Sequence, residues 1–322
     1  MSTVVPITVI IPTYNRTKVL FDTIESILSG IAVPDEVIVV DQTIPETIYP
    51  EILFSRYGSK LKIVREKIPS LTRSRNIGLD MAKNDIVLFC DDDVLLDRHS
   101  IEKLYCDMQN SKVALVAGIN KKDNALYGGK NKDNQLKAFV STLFGLKKFW
   151  RNDGYVIRGS MRGRYAVGIT NKVPTEWAMG YFFSVKKSLC DKCTIQFDEN
   201  LKRYAYAEDL DFSIRYCEKA KIGGRACILN PEIYVDHLAS KEWRTPSKEA
   251  TLYTIANRRY LSYKLYPKKF WNRWLLLWND WCCEKFVCKN VDERKNWHEA
   301  RMLCKGMKID ELKELILNAS KR

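Results

Sequence analysis

No apolar run in this chain approaches the ~20 residues that a membrane-crossing helix needs. The amino end, Met1 to Val9, also lacks the basic region, apolar core and cleavage site of a secretory leader. These two absences predict a cytoplasmic protein. No internal repeat is visible. No helix-turn-helix, zinc-finger or RNA-recognition signature gathers the basic residues, so the formal net charge of +14 is not organised for nucleic acid. That charge suits an anionic membrane surface or phosphate-bearing substrates equally well. Histidine is scarce, at three positions. Cysteine is not scarce, but a chain of 322 residues needs no disulfide staples, and its ten thiols are scattered through apparent core elements. Cys190-x-x-Cys193 is the one close pair with metal-ligand spacing, and a zinc site there would need two more ligands, such as Cys217 and Cys227. Free, reduced thiols are the favoured reading.

What is present is a core. With 46% hydrophobic and 29% charged residues, the chain can form one large α/β domain and an appendage. Ile7 to Pro12 is a β-rich run stopped by proline, followed by the polar turn Thr13 to Arg16 and a helical pattern from Lys18 to Leu28. Glu36 to Asp41 reads as a second buried strand ending in a carboxylate, and Leu61 to Arg65 as a third. Ser70 to Ala82 reads as a helix feeding the strand that ends at Asp91, then come a helix over Ser100 to Gln109 and a strand over Val113 to Gly118. Alternating β and α elements imply a mostly parallel sheet.

From Lys121 to about Lys172 the chain is polar and basic, with Gly128-Gly129 and many lysines, and is predicted to be a surface or substrate-facing excursion outside the core. Order is expected to resume at Glu176. A helix near Lys186 to Lys192, another opening at Glu208 and running through Lys219, and a strand over Ala226 to Leu229 follow. From Thr245 onward the pattern is helical and aromatic.

Asp85 to Cys90 is an apolar run that ends in Asp91-Asp92-Asp93. A buried parallel strand delivers its C-terminal end into the ligand crevice of an open α/β sheet, where carboxylates suit a hard divalent cation that can hold a diphosphate. Taken alone, the cluster would serve equally as a solvated turn. It does not stand alone. Val9 to Arg16, Asp41, Ser74 to Leu79, Asp91 to Asp93, Trp177 to Gly180 and Glu208-Asp209-Leu210-Asp211 resemble, in order, the motifs of family-2 inverting glycosyltransferases with the GT-A fold. The resemblance covers roughly residues 5 to 265.

It implies a Rossmann-like, mostly parallel α/β sheet flanked by helices. The catalytic domain would span residues 1–244, with the nucleotide-sugar part at about 1–120 and the acceptor part at about 121–244, and a helical appendage would occupy 245–322. By the same resemblance Pro12, Tyr14, Asp41, Arg75, Asp91 and Asp92 belong to the nucleotide site. Asp93 is the direct metal ligand, and Asp91 faces the ribose and reaches the metal through water. Asp92 is read alternatively as a solvated or structural carboxylate. Asp41 would accept a hydrogen bond from the base edge, or else act as a loop or helix-capping carboxylate. The family's acidic, glycine-containing stretch after that strand is replaced here by Gln42-Thr43-Ile44-Pro45, so the details of base recognition do not carry over. Arg75 can pair with phosphate or contact the base, against the alternative of a helix cap or surface ion pair.

Inversion needs a general base opposite the leaving group, because a sugar hydroxyl is a poor nucleophile until its proton is removed. Asp209 is favoured, with Glu208 the neighbouring alternative, while without the motif context the pair would be helix N-terminal charge. His237 follows at a spacing where related enzymes often place a metal ligand, against the alternative of a structural histidine, whereas His99 and His298 lack that context. Trp177, Met179 and Gly180 would touch substrate, as would Lys241 and Arg244, the last two either on the diphosphate or merely solvated.

Two other functions compete. A sugar-nucleotide pyrophosphorylase should carry a glycine-rich basic loop where Thr13 to Arg16 stand, and a silent binding protein would leave the acidic element ends unexplained. A processive synthase is disfavoured by the lack of spanning helices and of a Gln-x-x-Arg-Trp motif. The resulting expectation is an inverting transferase dependent on Mn²⁺ or Mg²⁺, moving one sugar from a nucleotide donor, a UDP-sugar first, to a glycan or lipid-linked glycan in cell-surface polysaccharide assembly. Trp271, Trp274, Leu275, Trp278 and Trp281 recur at helical spacing beside Lys268, Lys269, Arg273 and Lys285. Such a stripe can lie on the cytoplasmic face of a membrane, or pack against the catalytic domain or a second subunit.

Overall fold

The fold is built on β1 (Thr3–Thr13). Val5, Ile7, Val9 and Ile11 of this strand enter one core and Ile10 the other, so it is apolar on both faces, as a strand covered on both sides must be. The computed structural model describes residues 2–49, 51–120, 135–148, 151–166, 168–202, 205–238 and 247–319. β1 pairs in parallel with β2 (Ala32–Asp41), which pairs with β3 (Leu61–Arg65), and on its other side with β4 (Ile86–Cys90). The chain reverses its order of strand addition between β1 and β4. Ligands bind at such a switch point, outside the C-terminal strand ends.

The short β5 (Val94–Leu96) and β6 (Val113–Asn120) follow, and after the hairpin β7 (Tyr155–Ile157)–β8 (Arg162–Arg164) and the two-residue β9 (Val173–Pro174) come β10 (Phe182–Lys186) and β11 (Ala226–His237). The sheet order is β3-β2-β1-β4-β10-β6-β11-β5, with β9 on β11. β10 is antiparallel to both its neighbours, and β5 and β9 are antiparallel to β11. The rest is parallel.

Helices cover both faces. Lys18–Leu28 and Ser100–Gln109 supply Leu20, Ile24, Ile27, Ile101, Leu104 and Met108 to one core. Leu71–Met81, Lys187–Cys193 and Glu208–Ile222 supply the other. Ser70 caps Leu71–Met81 by accepting from the Arg73 backbone N–H. Gly78 brings this helix hard onto β1: a Cβ there would lie 2.4 Å from Ile10 Cγ2. A third core joins Val156, Met161, Trp177, Leu201 and Leu210 to the C-terminal helices Ser247–Leu265, Val291–Leu303 and Ile309–Ala319 through Tyr253, Ile255, Tyr260, Ala300, Leu312 and Ile316. Among the described residues no helix is long and apolar enough to cross a membrane.

Two expectations need correction. The stretch 121–172 is not all excursion. Within its described part lie the helix Gln135–Leu143 and the β7–β8 hairpin, and Tyr155, Val156, Ser160, Met161 and Ala166 are buried. The inward positions come in short groups among glycines and arginines, so an averaged polarity conceals them. β11, expected to stop at Leu229, continues through Asn230-Pro231 to His237. A register irregularity between Leu229 and Tyr234 lets that polar, proline-containing step pass without ending the strand. All ten cysteines are free, and Cys190, Cys193, Cys217 and Cys227 form no metal-ligand group.

Candidate active site

The backbone brings the acidic strand end and the histidine together. β5 begins immediately after Asp93, and its pairing with β11 sets His237 opposite Val94, with the Leu238 N–H donating to the Asp93 carbonyl at 2.9 Å. His237 Nε2 therefore lies 3.2 Å from Asp93 Oδ1, and the imidazole stacks on Tyr181 with centroids 5.1 Å apart. One ligand atom each from Asp91, Asp93 and His237 fits within 4.8 Å, and among the described residues this is the one such group. Two carboxylates and an imidazole suit a cation such as Mn²⁺. Burial opposes a charged imidazole, but the hydrogen bond and charge of Asp93 outweigh it and raise the His237 pKa.

Asp92 points elsewhere. Thr13 Oγ1 donates to it at 2.7 Å and Arg16 Nη1 at 2.6 Å, while Arg16 also lies 3.0 Å from Asp93. Burial pushes the Asp92 carboxyl up to about 7, with Arg16 and Thr13 pulling the other way. Its place is that of an internal carboxylate fixing the β1 and β4 ends to each other. The Asp41 carboxylate is buried at the end of β2, where it accepts from the Thr43 N–H and Tyr49 hydroxyl, each at 2.9 Å, and from Arg65. Pro12 is buried within β1, and Tyr14 is half-buried in the turn that follows. That turn is tied to the β2 end by a hydrogen bond from the Asn15 N–H to Thr43 Oγ1 at 2.8 Å.

Arg75 is the bridge of the site. It is wholly buried, with its guanidinium on Glu208, on Asp91 at 2.9 Å and on the Gly180 carbonyl at 2.9 Å. It thus joins the metal-type cluster to the start of helix Glu208–Ile222. Asp209 is held differently: its two oxygens accept from the Gly180 N–H at 2.9 Å and the Leu210 N–H at 2.7 Å. Burial raises the pKa of Glu208, helped by the charge of Asp209 and opposed by Arg75. Burial likewise raises that of Asp209, opposed by the Gly180 hydrogen bond.

Arg75, Asp91, Glu208, Asp209 and His237 line one cleft of about 460 Å³, together with Met161, Arg162, Gly163, Arg164, Trp177, Met179, Gly180 and Tyr181, whereas Pro12, Tyr14, Asp41, Asp92 and Asp93 are not among its lining residues. Its size is ordinary for a small-molecule site. Trp177 is largely buried, donating from its ring nitrogen to the Arg164 carbonyl at 2.9 Å, and it packs where a Gly163 Cβ would be. Lys241 and Arg244 lie outside the described residues.

Sequence reasoning missed Arg16 as a partner of the acidic cluster, Tyr181 as the platform for His237, and Arg162 and Arg164 as cleft walls. Arg16 is legible as the last residue of the Val9 to Arg16 motif. The two arginines stand in the polar, basic stretch whose averaged composition reads as excursion.

The fold is GT-A, and solved structures share it. GalNAc-T7 with UDP, GalNAc and Mn²⁺ aligns over 98% of this chain and 57% of its own, with a TM-score of 0.58 and 13% identity. TarS 1-349 of S. aureus in complex with UDP-GlcNAc aligns over 98% and 88%, at 0.52 and 15%. The mannosyltransferase PcManGT from Pyrobaculum calidifontis, in complex with GDP-Man and Mn²⁺, aligns over 98% and 79%, also at 0.52 and 15%. Such identities speak for the fold alone. The family comes from the sequence: residues 8–189, more than half of the chain, match the model for glycosyl transferase family 2, and the chain belongs to that family. A curated relative, the uncharacterized glycosyltransferase YwdF of Bacillus subtilis (strain 168), is 27% identical over 168 residues, which is 49% of this chain and 58% of the relative.

Proposed function

We propose that this chain moves one sugar, with inversion, from a nucleotide sugar to a hydroxyl of a glycan or lipid-linked glycan acceptor, and that a UDP-sugar is its donor. The observation that carries the reading is the joining of two chemistries at one cleft: the Asp91, Asp93 and His237 cluster, which reaches the cleft through Asp91 and His237, and the Glu208–Asp209 pair, bridged by Arg75. A Mn²⁺ or Mg²⁺ ion held by Asp91, Asp93 and His237 would offset negative charge on the departing diphosphate.

Asp209 is the base in this reading. Glu208 is occupied by its ion pair to Arg75, whereas Asp209 is oriented by backbone N–H groups alone and made more basic by burial. It takes the proton from the acceptor hydroxyl as the oxygen attacks the anomeric carbon and the bond to the diphosphate breaks. Trp177, Met179 and Gly180 shape the wall beside the reacting groups.

The test begins with a panel of nucleotide sugars and purified protein, scored for metal-dependent donor hydrolysis. With the donor found, Asp209→Asn is expected to lower transfer by about 10²–10⁴-fold while nucleotide binding persists. An α-linked donor should give a β-linked product by NMR. Retained configuration, or full turnover in Asp209→Asn, would overturn the mechanism, and an equal loss in Glu208→Gln alone would move the base by one residue.

A further inference from the structure

Helix Phe270–Cys282 is two-faced. Leu276, Asn279, Asp280 and Cys282 are buried, and Asp280 is taken up by Arg258 and Arg259. On the other side Trp271, Trp274, Trp278 and Trp281 touch in series, with ring centroids 6.5, 6.4 and 5.2 Å apart, and Trp281 meets Phe286 at 5.7 Å. Trp271 is 63% exposed and Trp274 56%.

The patch extends onto a second helix. Trp278 Nε1 donates to the Leu143 carbonyl at 3.0 Å, and Phe144 stacks on Phe286 at 5.2 Å. Leu136, Phe139 and Leu143 of helix Gln135–Leu143 recur at i, i+3 and i+7 and are all exposed. Aromatic and aliphatic side chains left open on two adjoining helices mark an interaction surface.

Charge selects the occupant. Asp280 is the one carboxylate of helix Phe270–Cys282, and it is buried; Glu284 just beyond is buried too, under Arg301 and Lys285. Exposed Lys268 and Lys269 precede the helix and exposed Lys285 follows it. A second copy seated on this face would set the same cationic rim against itself, since a two-fold contact repeats one surface. A negatively charged bilayer complements both features, with indole rings at headgroup depth and lysines toward lipid phosphate.

We propose that the patch formed by helices Phe270–Cys282 and Gln135–Leu143 docks the protein on the surface of an anionic bilayer. Arg162, a cleft residue, donates at 3.1 Å to Asn279 on the buried face of the docking helix, so the helix that carries the patch packs against a wall of the cleft. If the transfer reading holds, docking would bring the protein onto the surface that carries a lipid-linked acceptor.

The full chain is tested by sedimentation with vesicles of phosphatidylglycerol and phosphatidylcholine, against phosphatidylcholine alone. Binding to the anionic vesicles is expected, falling as salt is raised. Paired Trp274→Ala and Trp278→Ala changes should weaken it by about tenfold or more. Lys268→Glu with Lys269→Glu, which leaves the aromatic row intact, should weaken it too. Brominated lipid should quench wild-type tryptophan fluorescence. No binding by folded wild type, binding unchanged in both double variants, or a dimer that buries the patch would each overturn the proposal. The assay contains neither donor nor metal, so its failure and that of the transfer chemistry are separately visible.

Discussion

At Gly180 a single hydrogen atom in place of a side chain keeps the site assembled. Its N–H holds Asp209, its carbonyl receives Arg75, and a Cβ would sit 2.9 Å from Arg75 Nη2 and 3.0 Å from Glu208 Oε1. Arg75 is wholly buried and pinned on three sides, so it has no free direction in which to yield. Gly180→Ala is expected to cost about 1–3 kcal/mol by overpacking. It should also lower kcat by on the order of 10–100-fold through displacement of Asp209, with a smaller change in KM. Denaturant titration and steady-state kinetics check both, and wild-type turnover would remove Gly180 from this role. The stretch Trp177 to Gly180 is legible in the sequence as a motif. The reason for its glycine is not, because Arg75, Glu208 and Asp209 converge on it only in the folded chain.

At the scale of elements, an ion network fastens helix Glu208–Ile222 to helix Ser247–Leu265. Lys264 Nζ lies 2.8 Å from Asp198 and 2.8 Å from Asp211, and Asp211, wholly buried, is also paired with Arg215 at 2.6 Å. Burial pushes the Asp198 carboxyl up, but hydrogen bonds from Lys264 and Tyr260 prevail and hold it at about 2. A carboxyl depressed in this way contributes stability above its unfolded pKa of about 3.9, and the contribution is lost as pH falls toward 2. Lys264→Met is expected to destabilise the protein by about 1–3 kcal/mol at neutral pH, Arg215 still serving Asp211. The gap between variant and wild type should shrink between pH 4 and pH 2. A gap independent of pH in urea titrations would show that Asp198 draws nothing from Lys264. Elements with a clean apolar period, such as Lys18–Leu28 and Ser100–Gln109, are readable from sequence because burial repeats every third or fourth residue. The β7–β8 hairpin is not, since its buried residues Tyr155, Val156, Ser160 and Met161 form two short pairs set among glycine and arginine, with no period that repeats.

Across the whole molecule, the candidate metal group is assembled from distant stretches: Asp91 and Asp93 follow β4, while His237 ends β11, and only the β5–β11 pairing brings them together. The acidic run and the histidine are both visible in the sequence, but their contact is a property of the folded sheet, and it depends on β11 running through Asn230-Pro231 instead of stopping at Leu229. An unfolded chain holds His237 far from the two aspartates. A cation that binds them therefore favours the folded state, by about 2.7 kcal/mol at a hundred times its Kd. Mn²⁺ is expected to raise the thermal midpoint by several degrees, and UDP to raise it further only when Mn²⁺ is present. Asp93→Ala removes one carboxylate while leaving Arg16 paired with Asp92, so the variant should fold yet lose the Mn²⁺-dependent rise. His237→Ala should weaken the rise as well. Differential scanning fluorimetry across a Mn²⁺ titration reads all three proteins, and an undiminished shift in Asp93→Ala would place the cation elsewhere on the molecule.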